Sequence, residues 1–260
     1  CYPHLGKGNK ILADKAATDV MRYNLNKLNI DGEVVIGEGE LDEAPMLYIG
    51  EKLGNTNGPK IDIAVDPVEG TNFVAKNLPG AISVLAISEK GNLFKAPETY
   101  MNKIAFGKNI PKDVIDLDNT IEENIKNLSD YKNKKIKDIT VCILNRDRHF
   151  DIINSIKKVG AKVKLITDGD VAGALLVSDK KYNVDIFVGI GGGPEGVIAA
   201  SALDAMNCNF QGRFIFEKDK DKFRAKQMGI KDLNKKYEIN EIVKGESIFC
   251  ATGITSGELM

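Results

Sequence analysis

Two acid-bearing segments sit where strands should end, and they define the chemistry open to this chain. Ile61-Asp62-Ile63-Ala64-Val65 reads as a buried strand. It runs into a turn, Asp66-Pro67-Val68-Glu69-Gly70-Thr71, with two carboxylates three residues apart across a proline. Such a turn delivers oxygen ligands, which hard divalent cations take, and backbone amides, which phosphate takes. An ordinary Asp-Pro turn with a solvated glutamate is the alternative. The strand Glu33–Ile36 likewise leads into Gly37-Glu38-Gly39-Glu40-Leu41-Asp42. In an extended segment Glu38 and Glu40 face one side, unless the stretch is merely an exposed acidic loop.

Asp14, Glu38, Asp66 and Glu69 together supply four carboxylates, and Glu195 could add a fifth. An oxygen-only set suits Mg²⁺ or Mn²⁺, and His4 and His149 are too few for a histidine-based zinc site. Clustered carboxylates repel one another unless cations occupy them. The matching chemistry is activation of water for attack on phosphorus, with two ions roughly 3.5–4 Å apart steadying the attacking and leaving oxygens. Thr71 could orient that water and Asp42 accept its proton, although Asp42 fits a helix N-cap equally well.

Other candidates follow later strands. Arg146-Asp147-Arg148 could form a fork for a second phosphate, or be a solvated loop. Asp168 and Asp170 could accept hydrogen bonds from sugar hydroxyls, or serve as turn and cap residues. Gly189-Ile190-Gly191-Gly192-Gly193-Pro194-Glu195-Gly196 has Pro194 where a dinucleotide loop needs its third glycine, which argues against a dinucleotide cofactor. A glycine turn admitting substrate to the backbone, with Glu195 in the first turn of the following helix, is more economical. Most of these residues lie at the carboxyl ends of strands, where open α/β sheets bind ligands.

The frame that must position them is legible. Apolar spacing predicts a helix over 13–28 with Asp14 in its first turn, a turn at Asp31-Gly32, and a helix from Asp42 to about Gly54. Strands at 81–87 and 100–106, joined by short polar connections, suggest an antiparallel arrangement. A helix over 118–127 and a lysine-rich connector over 131–137 follow. Strands at 139–144, 161–166 and 184–188 then alternate with helices at 150–159, from Val171 and from Pro194, which argues for βαβ units and a largely parallel sheet. The expected fold class is therefore α/β with an α+β N-terminal part. Its subdomains are 1–135, binding metal, and 136–260, binding substrate. Glu217 to Lys222 reads as a solvated, mobile turn.

Composition is ordinary for a globular chain, at 43% hydrophobic and 28% charged residues. A net charge of −1 gives no reason to expect nucleic acid or a membrane surface as partner. No apolar run approaches the ~20 residues a membrane span needs. Cys1, Cys142, Cys208 and Cys250 form no paired motif, and Cys142 lies in an apolar run, which fits reduced thiols and a cytoplasmic setting.

Asp66 to Thr71 resembles the Asp-Pro-x-(Asp/Glu)-Gly-Thr signature of the lithium-sensitive, metal-dependent phosphatase superfamily, which includes inositol monophosphatases. The longer run from Val35 through Glu38, Glu40 and Asp42 to Lys52 is similar to the class II, GlpX-type fructose-1,6-bisphosphatases. So are Ala96 to Met101, Asp168 to Ala172, Gly189 to Gly196 and Ala251 to Thr255. The resemblance implies a layered α-β-α-β-α sandwich of the sugar-phosphatase type and Mn²⁺ or Mg²⁺, two or more ions per site. It implies metal ligands at Asp14, Glu38, Asp66, Glu69 and Glu195. Substrate contacts fall on Glu69, Gly70, Thr71, Tyr100, Arg146, Asp147, Arg148, Asp168, Gly169, Asp170 and Gly192. Lys10, Glu40 and Asp42 match further active-site positions, with Asp42 the catalytic acid. The activity implied is hydrolysis of the 1-phosphate of fructose 1,6-bisphosphate by a homo-oligomer, dimer or tetramer. Sedoheptulose 1,7-bisphosphate or another sugar or inositol phosphate is the alternative substrate, and a metal-binding regulator without turnover the alternative class. Two departures from the family stand out: Arg146-Asp147-Arg148 replaces the frequent Lys-x-Arg, and the segment between Arg213 and Met228 is short.

Overall fold

The computed structural model describes residues 1–37 and 47–259. Glu38, Glu40 and Asp42, with the start of the helix expected from Asp42, lie outside the described residues. Helix α1 (Lys10–Leu25) and strands β1 (Asp31–Ile36), β2 (Lys52–Leu53) and β3 (Lys60–Glu69) come first, then α2 (Thr71–Lys76) and β4 (Ile82–Glu89). Next are β5 (Tyr100–Phe106), α3 (Ile121–Lys132), β6 (Thr140–Leu144), α4 (Phe150–Lys158), β7 (Lys162–Ile166) and α5 (Asp170–Leu175). The chain continues through β8 (Ile186–Gly192), α6 (Gly193–Ala205), β9 (Asn209–Ile215), α7 (Asp219–Gln227), β10 (Tyr237–Glu238) and β11 (Ser247–Gly253). These fall into two compact units, Cys1–Ala96 with Asn240–Met260, and Pro97–Ile239. The expected 135/136 boundary lies within the second unit, between α3 and β6.

The first unit is built on a sheet of order β11-β4-β3-β1-β2. Its central strand β3 runs parallel to β1 and antiparallel to β4, and Ile61 to Val65 are all buried. Helix α1 packs on it through Ala13, Ala17, Met21 and Leu25, whereas Val20 and Leu28, counted in the expected apolar stripe, are exposed. The helix begins three residues before the expected start, because the Asn9 side chain caps it by accepting from Leu12 N at 3.1 Å. That puts Asp14 beyond the first turn, so the expected dipole benefit does not apply. Asp31-Gly32 is strand rather than turn. Gly32 pairs with Leu53 and Ile61, and a Cβ there would come within 2.6 Å of Ile63 Cδ1.

No helix occupies the described part of the expected 42–54 segment. Residues 47–54 enter through buried Leu47 and form β2, antiparallel to β1. Glu33 anchors this edge, with Lys52, Lys90 and Lys95 ammonium groups at 2.8, 3.3 and 3.0 Å. Hydrogen bonds from Lys52 first, then Lys95, pull its carboxyl down to about 2.

The second unit holds a sheet of order β10-β9-β5-β8-β6-β7. Only β6 with β7 and β8 is parallel; β5 is antiparallel to both β8 and β9, so the sheet is mixed rather than largely parallel. Strands β3 and β4 pair antiparallel, but β5 leaves β4 for this other sheet rather than pairing with it as expected, and there Ile104 and Phe106 join Val141, Ile143, Ile186 and Val188 in one core. Helix α3 starts at a Thr120/Glu123 capping box and takes up Tyr131 and Lys132 of the expected connector. The charged run from Glu217 enters α7 at Asp219 and is anchored by buried Ala225. Lys, Arg and Asp alternate there without a helix breaker, so a turn was the wrong reading of polarity. All four cysteines are free, with Cys142 and Cys208 buried, and no described helix is long and apolar enough to cross a membrane.

Candidate active site

In the first unit the expected turn is strand for four of its six residues. Asp66 pairs with Val84 and Glu69 with Ile82, so β3 carries one more residue than β4 across this stretch, a bulge. Pro67 sits inside it, where no ladder N–H is required of it. Asp66 Oδ1 accepts from Val68 N at 3.0 Å across the proline, and Glu69 is buried. Gly70 then turns the chain at φ 84, which glycine adopts without strain, and a Cβ there would approach the Phe73 ring to 2.8 Å. Thr71 opens α2. Asp14 lies half-buried one residue beyond fully buried Ala13, and Lys10 is exposed at the start of α1.

The second unit gathers the remaining candidates around β8. The register of β5 on β8 sets Tyr100 opposite Gly192. The Arg148 guanidinium lies 5.0 Å from the centre of the Tyr100 ring and donates through Nε to Ile190 O at 2.8 Å. Arg146 turns elsewhere, donating to Thr167 O at 2.6 Å and to Asp168 Oδ1 at 3.4 Å. The 3-10 turn over Asp147–His149 separates the two guanidiniums, so each serves a different neighbour. Asp147 is exposed. Gly169, at φ 85, turns β7 into α5, whose first residue is Asp170.

The glycine run is strand through Gly192, not a turn, and its missing side chains make room for the protein's own groups. A Cβ at Gly189 would meet the His149 ring at 3.2 Å. At Gly191 it would meet Asp170 Oδ2 at 2.2 Å, and at Gly192 it would meet Glu195 Oε2 at 1.7 Å. Two carboxylates and an imidazole are thus laid against bare backbone.

His149 and Lys103 escaped the sequence reading. His149 is fully buried; Nδ1 donates to Leu144 O at 2.7 Å and Nε2 accepts from Ile190 N at 2.8 Å, which fixes the neutral ring. Burial, aided by the Arg148 charge, pushes its pKa below the ordinary 6.5. The unfolded chain therefore takes up a proton below about pH 6.5 that the folded chain refuses, and stability falls as pH drops from there toward the lowered folded value. Melting temperature should decline across that window, and His149→Gln should flatten the decline if this ring is its source. Lys103 is a lone lysine in the apolar strand β5, and that isolation was the available signal.

The proposed ligands are all carboxylates, a donor set that fits a hard divalent cation. Among the described residues no group of three or more His, Cys, Asp or Glu side chains gathers closely enough to hold a metal.

The mixed α/β frame, with two mixed sheets and helices, is consistent with a phosphatase sandwich. The family model for bacterial fructose-1,6-bisphosphatase, glpX-encoded, matches residues 1–260. A protein of Thermosynechococcus vestitus named D-fructose 1,6-bisphosphatase class 2/sedoheptulose 1,7-bisphosphatase is 43% identical, over 98% of this chain and 81% of the relative. A Prochlorococcus marinus protein of the same name is 44% identical over 98% and 80%, and one from Trichormus variabilis 43% over 98% and 81%. This chain belongs to the glpX-encoded bacterial fructose-1,6-bisphosphatase family. It is a metal-dependent phosphoric monoester hydrolase of fructose 1,6-bisphosphate, which sets aside the non-catalytic regulator.

Proposed function

We propose that the bond cleaved is the 1-phosphate ester, giving fructose 6-phosphate and inorganic phosphate as a gluconeogenic step in the cytoplasm. The observation that carries the reading is the β3–α2 corner, where Asp66 and buried Glu69 arrive beside a left-handed Gly70 and Thr71. Asp14, Glu38, Asp66, Glu69 and Glu195 would hold Mn²⁺ or Mg²⁺, two or more ions. When bound, the ions supply charge neutralisation at phosphorus and a more acidic water. Thr71 orients the attacking water through its hydroxyl, and Asp42 accepts its proton, with Glu40 and Lys10 as further active-site groups. The backbone of Gly70 and Thr71 meets the departing phosphate. Asp168, Gly169 and Asp170, with Gly192, meet the sugar hydroxyls, and Tyr100 and Arg148 the other phosphate, beside Asp147; Arg146 joins them by exchanging Thr167 O and Asp168 for the phosphate. Metal ligation thus falls mainly to 1–135 and substrate recognition to 136–260. Free thiols fit a reducing compartment, and exposed Tyr2, Val20, Tyr23 and Ile248 offer surface for a homo-oligomer, dimer or tetramer.

Phosphate release with Mn²⁺ should be fastest from fructose 1,6-bisphosphate and weak from inositol 1-phosphate. A faster release from inositol 1-phosphate would refute the bisphosphate reading. The relatives' names also print sedoheptulose 1,7-bisphosphate, which is compatible as a second substrate, and a comparable rate on it would establish dual use. Arg148→Ala should raise KM for the bisphosphate roughly tenfold, since a hydrogen bond to a charged group contributes about 1.5–3 kcal/mol. An unchanged KM would remove Arg148 from the phosphate contacts.

A further inference from the structure

Lys103 is 1% exposed, in a strand otherwise rich in apolar residues. Its neighbours in register on both adjacent strands are glycines, Gly189 and Gly212. The ammonium donates to Asp170 Oδ2 and, at 2.8 Å, to Gly192 O. Gly191 lacks a side chain where a Cβ would stand 3.0 Å from Lys103 Nζ, and at Gly196 one would stand 3.4 Å from Lys103 Cδ. Bare backbone on two elements thus borders this one cation, alongside Asp170 and Met101. Asp170 Oδ1 is buried and takes no hydrogen bond among the described residues.

Burying an ion pair seldom adds stability over well-packed apolar side chains. An acceptor left without a donor costs free energy as well. Both costs fall on one carboxylate and one carbonyl, and both belong to residues assigned above to the sugar. We propose that Lys103 is a positioning residue. It clamps Asp170 and the Gly192 carbonyl in one arrangement, so that the second oxygen of Asp170 is kept for a hydroxyl donor of the sugar. This rests on the reading of Asp168 to Asp170 as sugar contacts.

A double-mutant cycle separates the two claims. Kinetics on fructose 1,6-bisphosphate with Mn²⁺, together with melting curves, would be measured for the parent chain, Lys103→Met, Asp170→Asn and the double variant. Each single change should raise KM about tenfold or more, with kcat less affected, the scale of a lost charged hydrogen bond. The double variant should lose clearly less than the product of the two single effects, because Lys103 acts in large part through Asp170. Multiplying effects in the double variant, or a normal KM in Lys103→Met, would overturn the clamp while leaving the sugar contact standing. A normal KM in Asp170→Asn would overturn the sugar contact itself. Lys103→Gln, which retains an amide donor, replaces Lys103→Met if the latter fails to fold. Failure of both to fold would mark the lysine as structural only.

Discussion

Glu69→Gln is expected to lower kcat/KM for fructose 1,6-bisphosphate by roughly a thousandfold while leaving the fold intact. Replacing mere outer-shell partners of a metal already costs about 10–100-fold, and Glu69 is proposed both as a ligand and beside the phosphate. The substitution keeps size and shape at a buried position, so no cavity forms. It removes a negative charge three residues from Asp66, which lessens repulsion among the proposed ligands in the metal-free chain. Metal-free melting temperature should therefore hold steady or rise, while the stabilisation normally gained on adding Mn²⁺ shrinks. Near-normal turnover at saturating Mn²⁺ would take Glu69 out of the metal and phosphate machinery.

Gly192→Ala should separate activity from stability in a different way. The new methyl would occupy the place where Glu195 Oε2 stands, at 1.7 Å. The obstructed atom is the far end of a flexible side chain, so the carboxylate swings aside at small cost. The backbone at Gly192, φ −60 and ψ 140, suits alanine. Melting temperature should shift by no more than a few degrees, whereas the Mn²⁺ concentration for half-maximal activity should rise about 10–100-fold, the scale for a mis-aimed metal partner. An unchanged metal requirement would mean that Glu195 holds no ion.

What the sequence revealed was mostly local. Strands β3, β4, β6 and β7 and helix α4 announced themselves through apolar runs and flanking turns, and the acids at their ends were visible at once. Partner choice was not. The short link after β4 suggested a neighbour in the same sheet, yet β5 finds its partners in β8 and β9, strands far along the chain. The glycines 189–192 looked like a turn because their purpose lies on other elements: His149, Asp170 and Glu195 fill the space they leave. Lys103 stands out in the sequence only as a lone lysine in an apolar strand, since its partners, an aspartate and a carbonyl, lie elsewhere in the chain.

Strand β11 has a consequence for how the protein is made. It pairs residue by residue with β4 from Ser247↔Ser88 to Gly253↔Ile82, and Thr255 Oγ1 accepts from Ala81 N, 174 positions earlier. On a ribosome, β4 is synthesised long before its outer neighbour exists, while everything in Pro97–Ile239 is produced in the interval. The middle unit can fold as it emerges, but the first must wait with one sheet edge bare. A row of unpaired N–H and C=O groups on β4 is a template for any passing strand. Nascent chains stalled before Ser247 are thus exposed to aggregation, and synthesis of Ser247–Gly253 closes that hazard.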